Sequence, residues 1–445
     1  MTREQVITTL AKSATYGNLG LFVGAGFCKA VLNDCDGGVA LSWGELLQKS
    51  AAMLKVDYEG IDKTGVSYPE IASSICTIHS VQTAGDFSAS LRRLKQAIAE
   101  LTSWYPSQEQ RTTYSTYLEA LSPAWVITTN YDLVIESLLT GKSIPLGPND
   151  SLCAPKGIVP VYHLHGVRTN PEEIIIAQED YVSLFRPTEY RQMKLALTIK
   201  ESTTLFIGYR LGDVNVLTAL DWSRHVFKSE QQTYPNAVVQ VVRKDNPSEA
   251  PYEDKNGIVI LETAQLPKFF EEYAEVRNQV VKREHAQQKD LAKLAEKLNT
   301  PDTSTIGAFI DDEGTRATVL KVLSNFPTHL VAGFVSFMDK CIDETWKRSM
   351  PNGQFEGYNQ NLTILLDILT AFPLSQFPPA LFQSVAYGLN RVAYYVGTEA
   401  GKSWSAAKTW ERRKAELGAE IIAELRSVAK QYQYYQLKDL MSSLP

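Results

Sequence analysis

Two polar segments of the sequence combine residue types that could bind a sugar and move a proton. The segment WVITTNYD places Thr129, Asn130 and Asp132 directly after a short apolar run, and VYHLHG places His165 before a glycine. An amide can orient a water or a ribose hydroxyl, a carboxylate can stabilise positive charge, and a histidine can act as a general base near neutral pH. These residues are therefore candidates for a catalytic site.

Each of these residues also has a structural alternative. Threonine and asparagine at a strand end often cap the next helix, and Asp132 falls in the first turn of a helix predicted at 131–139, where a carboxylate complements the helix dipole. We expect His163 and His165 to point to opposite faces and therefore not to share a metal ion. One of them is expected to face the core or a helix, and the other a crevice.

Glycines follow two further apolar runs. LFVGAGF contains Gly24 and Gly26, and LFIGYRLGDVNV contains Gly208, followed by Asp213 and Asn215. Glycine lets the backbone approach a pyrophosphate, which amide groups and a helix N-terminus can bind, and the two polar residues could contact hydroxyl groups. The alternatives are a tight strand-to-helix turn without a ligand and an Asx turn that caps the next helix.

The elements that must position these residues follow from the apolar pattern. Short runs rich in β-branched and aromatic residues predict buried strands at 19–23, 124–128, 159–163, 204–207, 237–242 and 257–261. Helical patterns lie between several of them, including 43–54 and 87–101. This alternation predicts a Rossmann-like parallel sheet with helices on both faces. Ligands of such sheets bind at the carboxyl ends of the strands, where the four polar or glycine segments lie.

The character of the sequence changes after the last predicted strand. We assign residues 1–280 to the α/β domain. A helix-forming stretch at 266–298 ends at the segment NTPDTST, and helical spacing then continues at 315–348, 361–372, 378–396 and 405–440. Residues 285–445 are therefore predicted to form an all-helical domain for oligomerisation or partner binding.

Composition narrows the function classes. The chain has 445 residues, of which 44% are hydrophobic and 21% charged, as in ordinary globular proteins. The net charge of −6 argues against a broad nucleic-acid surface. Five cysteines without a C-x-x-C pair disfavour a zinc ribbon or a disulfide framework. With no apolar signal-peptide segment and no membrane span in the sequence, we expect a cytoplasmic protein without membrane contacts.

Taken in order, the motifs GAG (24–26), TTNYD (128–132), HLHG (163–166) and GYRLGDVN (208–215) resemble those of the sirtuin-like family. The resemblance covers about residues 15–275 and implies an NAD site. It implies that Asn130, Asp132 and the adjacent Thr129 lie at the nicotinamide ribose, and that His165 is the catalytic base. It further implies that the remaining ligand contacts come from Gly24, Ala25, Gly26 and Phe27 at the pyrophosphate, Gly208 and Tyr209 near the adenosine half, and Asp213 and Asn215.

The chain departs from the family pattern in three ways. Cys28 stands where the family usually has a serine, which weakens the hydrogen bonding expected there. Lys29 occupies the position of the third glycine of a G-x-G-x-x-G motif, so the segment is not a dehydrogenase fingerprint. The two C-x-x-C pairs of the zinc module in protein-deacylating sirtuins are absent. We therefore expect no zinc and no cofactor beyond NAD itself, and deacylation is disfavoured.

Without that zinc module, the chain resembles the bacterial sirtuin-like proteins that hydrolyse NAD in antiphage defence. This resemblance implies a gated NAD+ hydrolase that releases nicotinamide and ADP-ribose and forms a homo-oligomer, with a HerA-type hexameric ATPase as a candidate partner. Three alternatives stay open: a non-catalytic NAD or ADP-ribose sensor, a scaffold, and a sirtuin-type deacylase or ADP-ribosyltransferase.

Overall fold

A computed structural model describes residues 1–32, 40–182, 190–209, 214–225, 237–349, 355–442 and 444, with the backbone alone at 214, 215, 224 and 225. The chain divides into two compact units, Met1–Glu284 and His285–Pro445. The division falls within one long helix, Leu266–Asn299. In the part of the chain that the structure describes, every helix is too short or too polar to cross a membrane.

The first unit contains an eight-stranded sheet in the order β3-β4-β2-β1-β5-β6-β8-β7, parallel except for β7. The strands are β1 Leu19–Val23, β2 Trp125–Thr128, β3 Ser143–Leu146, β4 Val159–His163, β5 Thr203–Ile207, β6 Val238–Arg243, β7 Tyr252–Glu253 and β8 Val259–Thr263. The predicted Rossmann-like parallel sheet is confirmed, with one antiparallel strand added at its edge.

Burial explains which strands were predictable. Every residue of β1 and β5 is buried, because both faces of these central strands are covered, and such strands form continuous apolar runs. The two edge strands, β3 and β7, were not predicted. β3 is partly exposed and contains Pro145, while β7 has only two exposed residues, so neither carries an apolar pattern.

Helices of the first unit pack on both faces of the sheet. Leu21 and Val23 face a core completed by α1, α6 and α11, whereas Phe22 faces a core completed by α9 and α10. A third core joins α3, α4 and α5 into a separate helical layer. The helices are α1 Arg3–Thr15, α2 Ala25–Leu32, α3 Trp43–Met53, α4 Tyr68–Thr83, α5 Phe87–Leu101, α6 Gln108–Leu121, α7 Val134–Leu138, α8 Gln178–Val182, α9 Tyr190–Lys200, α10 Val214–His225 and α11 Leu266–Asn299, with a 3-10 turn at Pro171–Glu173.

The second unit is helical, and within its described part the only β pairing is an isolated bridge between Val396 and Ser403. Its core includes Phe334, Leu365 and Leu389. The helices are α12 Thr303–Asp311, α13 Glu313–Asn325, α14 Pro327–Ser349, α15 Glu356–Thr370, α16 Pro379–Ala393, α17 Trp404–Arg413, α18 Ala419–Gln431 and α19 Tyr435–Ser442, with 3-10 turns at Leu374–Gln376 and Lys414–Glu416.

Candidate functional site

The four sequence motifs meet at one edge of the sheet. β4, β2, β1 and β5 are consecutive neighbours, and Val23 pairs with both Thr128 and Ile207, while Thr128 pairs with His163. Because these strands are parallel and in register, their carboxyl ends lie side by side. The segments that begin at Gly24, after Thr128, after His163 and at Gly208 therefore share one crevice edge.

The turns after β1 and β5 pack directly against each other. The amide of Gly24 donates to the carbonyl of Ile207 at 3.0 Å, and the amide of Gly26 donates to that of Gly208 at 2.8 Å. A Cβ on Gly24 or Gly26 would lie 2.6 or 2.7 Å from the Gly208 oxygen, and one on Gly208, at φ +61°, would lie 2.0 Å from the Phe27 nitrogen. Backbone packing thus requires glycine at these positions without any ligand.

The other residues predicted around a dinucleotide have distinct surroundings. Phe27 is buried edge-on to Tyr114, and its amide donates to the Gly24 carbonyl, whereas Ala25 is exposed at the start of α2. Tyr209 packs its ring against Phe22 with centroids 4.7 Å apart. Of the two polar residues predicted in this loop, Asp213 lies outside the described residues, and Asn215 is described by its backbone alone, in the first turn of α10.

Cys28 links the two polar residues that follow β2. Its sulfur accepts a hydrogen bond from Asn130 Nδ2 at 3.1 Å, and its thiol donates to Asp132 Oδ1 at 3.4 Å. The same carboxylate oxygen accepts the amide of Val134, the first residue of α7, at 3.0 Å. Sequence reasoning treated Cys28 only as a departure from a family pattern, whereas the structure places it at the centre of this network.

Burial sets the protonation of this network. Burial and the neighbouring Asp132 carboxyl raise the pKa of the Cys28 thiol well above its ordinary value. Burial also raises the pKa of Asp132, against the opposing hydrogen bonds from Val134 and Cys28. Cys28 is therefore a neutral thiol at physiological pH and acts as a hydrogen-bonding bridge rather than as a nucleophile.

A small cavity borders this network. Its volume is about 30 Å³, enough for about one or two water molecules, whereas sites for drug-sized ligands measure roughly 300–1,000 Å³. Its walls come from α2, α3 and the segment after β2. The lining residues are Ala25, Cys28, Ala40, Leu41, Ser42, Trp43, Leu46, Trp104, Thr129, Asn130, Tyr131 and Asp132.

His163 and Glu136 form a buried pair beneath Asn130. His163 Nδ1 lies 2.8 Å from the Asn130 carbonyl oxygen and Nε2 lies 2.7 Å from Glu136 Oε1. Burial opposes the charged imidazolium most strongly, yet the hydrogen bond and charge of Glu136 outweigh it and raise the pKa of His163. The pair fixes the backbone of Asn130. Glu136, which lies in α7 four residues after Asp132, was not predicted.

His165 has different surroundings. It is 1% exposed, its ring meets that of Tyr181 edge-on at 5.4 Å, and its carbonyl accepts the amide of Ile175. His165 is not among the residues that line the small cavity. The structure therefore gathers Asn130, Asp132 and Thr129 at the cavity, and it places His163 rather than His165 against Asn130.

No group of three histidine, cysteine or acidic residues suited to a metal ion occurs among the residues that the structure describes. Four described cysteines are free thiols, and Cys153 is the exposed one among them.

Comparison with known proteins shows which family the part of the chain around this crevice resembles. Residues 124–261 match a family model described as the SIR2-like domain. The matched stretch begins just before β2 and contains the TTNYD, HLHG and GYRLGDVN motifs, while the glycine turn after β1 lies before it. None of the curated proteins compared with the chain matches it. The match supports the resemblance to the sirtuin-like family and an NAD-related function for the crevice.

Proposed function

We propose that the protein hydrolyses NAD+ and releases nicotinamide and ADP-ribose. The observation that carries this proposal is the Asn130–Cys28–Asp132 network at the carboxyl end of β2. Asn130 and Asp132 belong to the stretch that is similar to a SIR2-like domain. An amide and a carboxyl held together beside a small cavity suit a reaction that needs an oriented water and a stabilised cation.

Cleavage of the bond between nicotinamide and ribose requires few catalytic groups from the protein. The nicotinamide ring of NAD+ already carries positive charge, so the bond from ring nitrogen to ribose C1′ breaks with its electron pair going to the ring, without protonation. A water oxygen then bonds to C1′ and loses a proton. Asn130 orients the water or the ribose through its amide. Asp132, in its carboxylate form, stabilises the oxocarbenium-like ribose by its negative charge.

His165 is the proposed proton acceptor. Its ring nitrogens can take a proton from a ribose hydroxyl or from the attacking water. The residue is almost completely buried beside Tyr181, so the reaction requires the ligand to reach the His165 ring through a local rearrangement.

The small cavity supports gated activity. A volume of about 30 Å³ cannot hold a dinucleotide, so in this proposal the cavity beside Asn130 opens before NAD+ binds. We propose that assembly supplies this opening, through a homo-oligomer or a HerA-type hexameric ATPase that binds the helical unit. In this proposal the protein depletes cellular NAD as an effector of antiphage defence.

Incubation of the purified protein with NAD+ tests the reaction, with nicotinamide and ADP-ribose measured by chromatography. Asn130→Ala and His165→Ala should each lower turnover by about 100-fold or more, the usual contribution of a positioned acid–base group. Asn149→Ala and His329→Ala, at exposed positions, are the matched controls. Full turnover in either site variant, with the fold intact by circular dichroism, would refute the assignment.

Gating is tested separately by measuring NAD+ loss over a range of protein concentrations, with and without a candidate ATPase partner. Specific activity should rise with assembly. A constant specific activity under all these conditions would show that the enzyme is not gated by association.

A second candidate function is non-catalytic binding of NAD or ADP-ribose. The burial of His165 away from the cavity residues favours it, since a buried base cannot act without rearrangement. Saturable NAD+ binding without nicotinamide release, under every assembly condition, would select this alternative.

A further inference from the structure

A second cavity lies on the helical layer of the first unit. It measures about 670 Å³ and opens between the end of α3 and the facing sides of α4 and α5. We call this cavity the basic groove. It is lined by Met53, Leu54, Lys55, His79, Gln82, Thr83, Ala89, Ser90, Arg93, Gln96, Ala97 and Glu100. None of these residues lines the small cavity beside Asn130.

The polar side chains of the basic groove are available to a ligand. Those of Lys55, Gln82, Arg93 and Gln96 make no hydrogen bond or ion pair with any other described residue, and all four are exposed. Glu100 is the single carboxylate on the wall. The groove thus presents two permanent cations and two amides, a set dominated by hydrogen-bond donors.

A buried histidine forms part of the same wall. His79 is only 9% exposed, and its Nδ1 lies 2.8 Å from the Ser90 hydroxyl oxygen. Its Nε2 forms no hydrogen bond with the described residues, and His79 is one of the residues that line the groove. A largely buried polar side chain on the wall of a cavity, with one ring nitrogen not hydrogen-bonded to protein, can contact a ligand there.

Lys55, which lines the groove, has a strained backbone conformation. It follows the last turn of α3 at φ +59°, where glycine or asparagine is favoured. A lysine in this region is destabilising relative to glycine, and such strain often accompanies a functional requirement. In the groove, the side chain of Lys55 supplies a cation that glycine would not.

We propose that the basic groove binds a small phosphate-bearing anion. The planar guanidinium of Arg93 suits bidentate contact with phosphate oxygens, and the Lys55 ammonium supplies a compact positive charge in the same groove. The amide groups of Gln82 and Gln96 add further donors, and the His79 ring forms part of the same wall. The proposal is independent of NAD+ hydrolysis, since it rests on a different cavity.

Isothermal titration of the full-length protein with inorganic pyrophosphate tests the site. Arg93→Gln should weaken binding about tenfold or more, because charge-assisted hydrogen bonds are lost. Arg92→Gln is the matched control, an exposed neighbour on α5 that is not part of the groove wall, and it should leave the affinity unchanged. Titrations with adenosine monophosphate and adenosine then show whether a nucleotide or phosphate alone is the ligand.

Lys55→Gly separates a ligand role from a structural one. It should raise the Tm by roughly 2 °C, since it removes the left-handed strain, and should weaken pyrophosphate binding about tenfold. Equal affinity in wild-type, Lys55→Gly and Arg93→Gln proteins, or no pyrophosphate binding at all, would overturn the proposal. Binding that survives both substitutions would instead place the anion elsewhere, and this too would overturn the proposal.

Discussion

Substitution of Gly208 by alanine tests whether the glycines at the crevice exist for packing or for a ligand. Gly208 has φ +61°, and a Cβ there would lie 2.0 Å from the Phe27 nitrogen and 2.6 Å from the Gly26 carbonyl carbon. Both neighbours are backbone atoms, so no side-chain rotation relieves the overlap. The turns after β1 and β5 must therefore separate if the side chain is to fit.

The magnitude follows from two contributions. The left-handed conformation costs a non-glycine residue about 1–2 kcal/mol, and overpacking against backbone adds about 1–3 kcal/mol. Gly208→Ala should therefore destabilise the first unit by about 2–5 kcal/mol. Gly141→Ala is the matched control, because Gly141 has φ +77° but nothing within 4 Å of its Cβ position. It should cost only the conformational contribution of about 1–2 kcal/mol.

Urea denaturation followed by circular dichroism measures both variants, and NAD+ binding is measured on the protein that remains folded. Destabilisation of Gly208→Ala well beyond that of Gly141→Ala would agree with the packing argument. Equal destabilisation of the two variants would refute it. A stable Gly208→Ala protein that loses only NAD+ binding would show that glycine serves the approach of the ligand.

Three further predictions concern polar networks. Cys28→Ala should lower stability by about 1–3 kcal/mol, since it removes both hydrogen bonds of the thiol, and Cys28→Ser should recover part of the loss in a urea titration. The raised pKa of His163 means that its stabilising, protonated form is fully present below about pH 6.5 and is lost as pH rises through the folded-state pKa. The wild-type urea midpoint should therefore fall more steeply above that pH than the midpoint of His163→Gln, and parallel curves would contradict the pairing with Glu136. In the second unit, Asp367→Asn should cost about 3–5 kcal/mol by thermal unfolding, because it removes the carboxylate that pairs with both Arg316 and Arg413, and a loss below about 1 kcal/mol would contradict this account.

Much of the fold could be predicted because a strand that is buried on both faces of the sheet consists largely of apolar residues. β1 and β5 are buried along their whole length, and each contains an apolar run, at 19–23 and 205–207. The helix expected at 131–139 is observed only as Val134–Leu138, since the Asp132 carboxylate accepts the Val134 amide in a turn that precedes the helix. Edge strands such as β3 carry no apolar run, so only their pairing partner reveals them.

The sequence by itself determined that Asn130 and Asp132 lie at a strand end, because local pattern places the end of each strand. It did not determine the separate surroundings of His163 and His165, since residues two apart in a strand share a face, and these two differ because β4 ends at His163 and His165 lies in the turn that follows. Only the tertiary structure decided that His163 contacts the Asn130 carbonyl and that Cys28, 102 residues away in sequence, bridges Asn130 and Asp132. These contacts depend on the pairing of β2 with β1 and β4, and that pairing is a property of the whole sheet, which no local pattern encodes.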